Sequence, residues 1–96
     1  MKTLDDIKAT LKKHKIELEN RFKVRKIAVF GSYAREEEAN TSDVDILVDL
    51  IEPIGWEIID LKDFLEEVLG IEVDLVTVKA LKPELSDIIL KEAVYA

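Results

Sequence analysis

The 96-residue sequence predicts an α/β (α+β) fold, a small mixed β-sheet of three to four strands flanked by helices. Two observations carry this. Three short β-rich runs, "VRKIAVF", "DVDILVDL" and "IEVDLVTV", are interleaved with segments whose apolar residues recur at helical spacing. A helical segment lies between the second and third runs, which permits a right-handed parallel crossover there. The link between the first and second runs is shorter and leaves antiparallel or mixed pairing open.

In chain order, Leu4, Ile7, Leu11, His14, Leu18 and Phe22 form one stripe, predicting a helix over 3–22. Thr3 is its expected cap, with Asp6 three positions on. His14 completes the stripe and is read as a histidine at the core edge. The first strand ends at Gly31, and "SYARE" opens a short helix. In the second strand, alternation puts Asp43, Asp45, Leu47 and Asp49 on one face and Val44, Ile46 and Val48 on the other. "GWEIIDLKDFLEEVLG" is a helix with Trp56, Ile59, Leu61, Leu65, Val68 and Leu69 at helical spacing, and Gly70 is its C-terminal stop. Trp56 and Phe64 are expected in the core. "PELSDIILKEAVYA" is a last helix, with Pro83 at its first position.

Composition narrows the functional classes. The length suits a single domain, 1–96, with one modest core. Cysteine is absent, which rules out disulfides and thiolate metal sites and suits a reducing, cytoplasmic setting. No apolar run approaches the ~20 residues of a membrane span, and the first residues lack a signal-peptide pattern. The net charge of −7 is unevenly spread: residues 1–26 carry nine Lys/Arg against four Asp/Glu, and residues 27–96 carry five against seventeen. So acidic a chain is a poor non-specific ligand for nucleic acid. The basic first segment beside an acidic body offers two surfaces for a charge-complementary partner.

The candidate chemistry lies in "FGSYAREEEANTSDVDILVD". Asp43 and Asp45 project side by side from the start of the second strand. Carboxylates that close repel unless a cation lies between them, and hard oxygen ligands favour Mg²⁺. Asp74, in the third strand, can lie across from them if the two strands are neighbours. Such a carboxylate set could hold two metal ions for in-line phosphoryl or nucleotidyl transfer. Gly31 and Ser32 follow the first strand directly, where a glycine turn into a helix N-terminus offers N–H donors to a phosphate. Arg35 is open to two readings, a phosphate contact or cap of the short helix on one side and a salt bridge to a nearby Glu on the other.

"GSYAR" and "SDVDILV" followed by "VDLV" resemble the minimal nucleotidyltransferase (MNT) branch of the DNA polymerase β-like superfamily, over nearly the whole chain. The resemblance implies the polymerase β-like nucleotidyltransferase fold, with Gly31 and Ser32 on the triphosphate of ATP. Asp43 and Asp45 would ligate two Mg²⁺, and Asp74 the metal at the attacking oxygen. It further implies an antitoxin that adenylylates a HEPN-domain toxin on tyrosine, in a hetero-oligomer. The sequence departs from the family where a glycine commonly follows the arginine: Glu36 stands there. A second reading is a binding module that keeps the carboxylates but masks its partner stoichiometrically. Either way the chain supplies a phosphate turn and a metal site but no separate domain to hold an acceptor.

Overall fold

The structure is a computed structural model and describes residues 3–37 and 43–96. Ser42, part of the motif above, lies outside the described residues. The elements run α1 (Leu4–Lys13), α2 (Lys15–Phe22), β1 (Val24–Phe30), α3 (Gly31–Ala34), β2 (Val44–Leu50), α4 (Glu57–Leu69), β3 (Val73–Thr77), a 3₁₀ turn (Val78–Ala80), α5 (Pro83–Glu92) and β4 (Val94–Tyr95). The sheet order is β3-β2-β1-β4. β1 is antiparallel to β2 and to β4, and β2 is parallel to β3, joined by α4 as the crossover expectation requires.

The predicted first helix is two helices. Thr3 caps α1 through a capping box with Asp6, as its spacing predicts. At His14 the backbone leaves helical geometry (φ −102°, ψ 13°), and α2 starts one residue later. A straight helix of twenty residues would be about 30 Å long, whereas the seven-residue β1 spans about 23 Å. The bend lets Ile7 and Leu11 of α1 and Leu18 and Phe22 of α2 reach one core. His14 is half-buried with its ring edge-on to Phe64, centroids 5.6 Å apart, which makes it the core-edge residue expected.

One face of the sheet presents Ile27, Val29, Val44, Ile46, Val48 and Val73 to α1, α2 and α4. On the opposite face Leu47 is buried despite its acidic neighbours Asp45 and Asp49, and so is its cross-strand partner Ala28. α4 buries Leu61, Leu65 and Leu69, and Gly70 ends it in the left-handed conformation (φ 71°). Trp56 and Ile59 do not join that core: Trp56 is 87% exposed and Ile59 52%. At ~100° per residue, positions 56 and 59 lie roughly 140° and 160° around the helix axis from Leu61. Phe64 keeps its expected place beside the core.

The last helix is shorter than the sequence predicts. α5 begins at Pro83 but ends at Glu92, and Val94 and Tyr95 pair with Val29 and Ala28 as an edge strand. A final hydrogen bond runs from the Ala96 N–H to the Ile27 carbonyl at 3.0 Å. Nothing local marks that stop. β1 has a free edge there, and an extended chain satisfies its backbone groups better than another helical turn would.

Candidate active site

The site lies where β1 runs into α3 beside the start of β2. Phe30 pairs with Asp45 across the antiparallel ladder, which places Gly31 against that carboxylate. A Cβ on Gly31 would lie 2.1 Å from Asp45 Oδ2, and the Gly31 backbone has φ +70°. Both features demand glycine. Ser32 sits on the first turn of α3, and Tyr33 packs against the core.

The parallel pairing of β2 with β3 sets the acids. Asp45 is aligned with Asp74, and Val44 with Val73. The Val44 N–H donates to the Glu72 carbonyl at 3.0 Å, so Asp43 falls opposite Glu72. Burial, then the charge and a hydrogen bond of Asp74, then Asp43 and Glu92, push the Asp45 carboxyl up to about 6. A hydrogen bond with Asp43 and the charge of that residue raise Glu72 above the ordinary carboxylate range.

The register sets Asp45 beside Asp74 and Asp43 beside Glu72, and Asp45 feels the charge of both Asp74 and Asp43. Among the described residues no three His, Cys, Asp or Glu side chains are placed together to hold a metal ion. The donor chemistry nevertheless suits a hard divalent cation. When both are ionised, Asp45 and Asp74 offer acceptor-only oxygens whose mutual repulsion a cation would relieve, with Asp43 close enough to add to it.

Two residues that sequence reasoning missed belong to this corner. Glu72 shares the parity of Asp74 in "EVD", a signal that was legible. Glu92 comes from the far end of the chain and had none. The Gly31 N–H donates to Glu92 Oε1 at 2.8 Å, and Arg35 Nη1 donates to Oε2 at 3.0 Å and to Oε1 at 3.3 Å. Arg35 Nε is paired with Glu37. Both open readings of Arg35 thus keep a place: its Nε and Nη1 are in salt bridges, and Nη2 has no protein partner among the described residues.

Glu36, at the position where the resemblance implies a glycine, has a left-handed backbone at φ +56°. A left-handed non-glycine residue costs of the order of 1 kcal/mol or more, partly offset by the freedom glycine has when unfolded. Glu36→Gly is expected to stabilise by about 0.5 kcal/mol, a rise of roughly 2–4 °C in Tm. A melt showing a lower Tm would mean that Glu36 makes a compensating contact.

A cleft of about 260 Å³ lined by Asp49, Ile54, Thr77 and Lys79 opens at the other end of β2. It is remote from the acid pairs and shares none of their residues.

Comparison with known proteins places these features in a family. The nucleotidyltransferase domain family matches residues 11–96. The chain is 49% identical over 96 residues to protein adenylyltransferase MntA of Thermococcus cleftensis, covering 99% of this chain and 97% of that protein. Its fold superposes on a solved structure provisionally named a minimal nucleotidyltransferase, with TM-score 0.81, 34% identity, and coverage of 97% and 95% of the two chains. It also superposes on a chain from the solved complex of a tri-AMPylated Shewanella oneidensis HEPN toxin with an MNT antitoxin, with TM-score 0.64 and 24% identity over 93% of this chain and 70% of that one. At that identity the last likeness speaks to the fold alone.

Proposed function

Because this chain belongs to the nucleotidyltransferase domain family, alongside the protein adenylyltransferases, we propose that it transfers AMP from ATP to a tyrosine hydroxyl of a HEPN-type toxin and thereby acts as its antitoxin. The observation that carries this reading is the contact between the phosphate-sized turn and the acids. Gly31 lies against Asp45, and Asp45 lies beside Asp74.

In this reading Gly31 and Ser32 receive the triphosphate, with Arg35 alongside, and Asp43, Asp45 and Asp74 would hold Mg²⁺. The ion would supply charge neutralisation at the transferring phosphate. The chain's own work is positioning. The acceptor oxygen bonds to the α-phosphorus as the bond to the bridging oxygen breaks, pyrophosphate leaves, and the phenolic proton departs toward the acid pair. Holding the acceptor in line with the leaving group is worth many orders of magnitude in rate. AMP on the toxin would add negative charge and bulk where RNA must bind.

A partner must present that acceptor. The exposed Trp56 and Ile59 support a partner surface, since aromatic residues are enriched at the centres of interfaces. Among the described residues no helix is long and apolar enough to cross a membrane, which is compatible with a cytoplasmic pair.

The test is co-expression with the candidate HEPN protein, followed by incubation with Mg²⁺ and ATP and mass spectrometry of both chains. The expected result is a co-purifying complex whose toxin gains one or more AMP units on tyrosine. Co-purification with no AMP added would favour the stoichiometric masking module, and the absence of both would defeat the antitoxin reading. Within the same reading, Ser32→Ala should weaken ATP binding by about 1 kcal/mol, the size of one hydrogen bond. Calorimetric titration checks it, and an unchanged affinity would take Ser32 out of the phosphate site.

A further inference from the structure

We propose that Glu92 is a positioning residue for the nucleotide, tying the C-terminal helix to the turn that receives the triphosphate. The proposal rests on the nucleotide-binding reading above and goes beyond it to a residue that no motif marks.

The geometry is specific. A single carboxylate accepts the Gly31 N–H at 2.8 Å and Arg35 Nη1 through both of its oxygens, at 3.0 and 3.3 Å. The partners are 61 and 57 residues away in sequence, so no local turn makes these contacts. Glu92 is the last residue of α5, and the very next segment is the edge strand pinned on β1. Its backbone is therefore fixed by helix on one side and sheet on the other. Its side chain is partly buried, and the Gly31 N–H it accepts has no partner within α3, because first-turn amides have none.

The chemical consequence is a division of donors. Glu92 takes the first amide of the turn and one arm of the guanidinium. Ser32 and the Nη2 arm of Arg35 are left without side-chain partners among the described residues. A turn whose first amide is held in place presents the following groups in one orientation, which lowers the ordering cost when a phosphate arrives. A guanidinium anchored by two carboxylates, Glu37 and Glu92, likewise has its plane set before the ligand binds. Glu92 would thus act on the nucleotide through Gly31 and Arg35, without touching it.

The test is calorimetric titration of Mg²⁺-ATP into the full chain and into Glu92→Ala, Glu92→Gln, Arg35→Ala and the Arg35→Ala/Glu92→Ala double variant, below the Tm of each. Glu92→Ala is expected to weaken binding about tenfold and Glu92→Gln about threefold, since the amide keeps one acceptor oxygen but loses the charge. The double variant should lose less than the product of the two single losses, because both act on one network. A Glu92→Ala protein that melts lower yet binds ATP as tightly as wild type would make Glu92 structural only. Tighter binding in Glu92→Ala would make its carboxylate a competitor of the phosphate; either result overturns the proposal. If Glu92→Ala does not fold, the near-isosteric Glu92→Gln decides alone, and an unchanged affinity there is equally fatal. Wild type that binds no ATP would refute the nucleotide reading itself, and this proposal with it.

Discussion

Asp45→Asn is expected to abolish AMP transfer while making the metal-free protein more stable at neutral pH. Asp45 is half-buried beside Asp74, and these surroundings push its carboxyl up to about 6. Its folded value lies above the ordinary unfolded one, so its stabilising contribution is complete below about pH 4 and is lost as pH rises through about 6. Full conversion of that shift would be about 3 kcal/mol, but the group is solvent-accessible enough that screening leaves about 1 kcal/mol. Asparagine removes the ionisation. Melts at pH 4 should therefore coincide, and at pH 7 the variant should melt roughly 4–8 °C higher. Mg²⁺ should raise the Tm of wild type and leave the variant unmoved. Transfer at the wild-type rate, or an equal response of both proteins to Mg²⁺, would remove Asp45 from the metal site.

Gly31→Val should damage both the fold and the site. The left-handed φ of +70° disfavours any β-carbon, and that carbon would fall 2.1 Å from Asp45 Oδ2 and 3.0 Å from its Cγ. The backbone strain and the displaced side chain together should cost about 2–3 kcal/mol, lowering the Tm by roughly 10–20 °C. Because the group that must move is Asp45, transfer should fall by about a hundredfold or more even at temperatures where the variant is folded. Gly55→Ala separates the two effects. Gly55 also has a positive φ (+56°), but an added Cβ there meets nothing within 4 Å. It should cost about 1 kcal/mol of backbone strain with transfer intact. Equal activity in the Gly31 and Gly55 variants would show that the close approach to Asp45 has no part in the reaction.

Much of this molecule is written in local pattern. The apolar stripe of the first 22 residues, the Thr3–Asp6 capping box, the Gly70 stop, Pro83 at the head of α5 and strands β1 to β3 all follow from periodicity and capping chemistry that need no distant partner. The three aspartates of the candidate site were legible for the same reason. Alternation along β2 and β3 puts Asp43, Asp45 and Asp74 on matching parities, and a helical crossover makes the two strands parallel neighbours.

What remained was decided by tertiary register, which single segments do not encode. The parallel register of β2 and β3 aligned Asp45 with Asp74 and set Asp43 opposite Glu72, which brought in an acid that the motif did not single out. The bend at His14 answers the length of the sheet, and β4 answers the free edge of β1; neither demand is visible in the segment that meets it. Trp56 satisfies a helical spacing, but only the docked orientation of α4 shows it on the outer side. Glu36 shows the limit from the other side: the turn holds a left-handed backbone (φ +56°) at a residue whose type does not call for one. Glu92 is the plainest case. Its carboxylate reaches Gly31 and Arg35 across some sixty residues, and only folding the sheet brings those ends together.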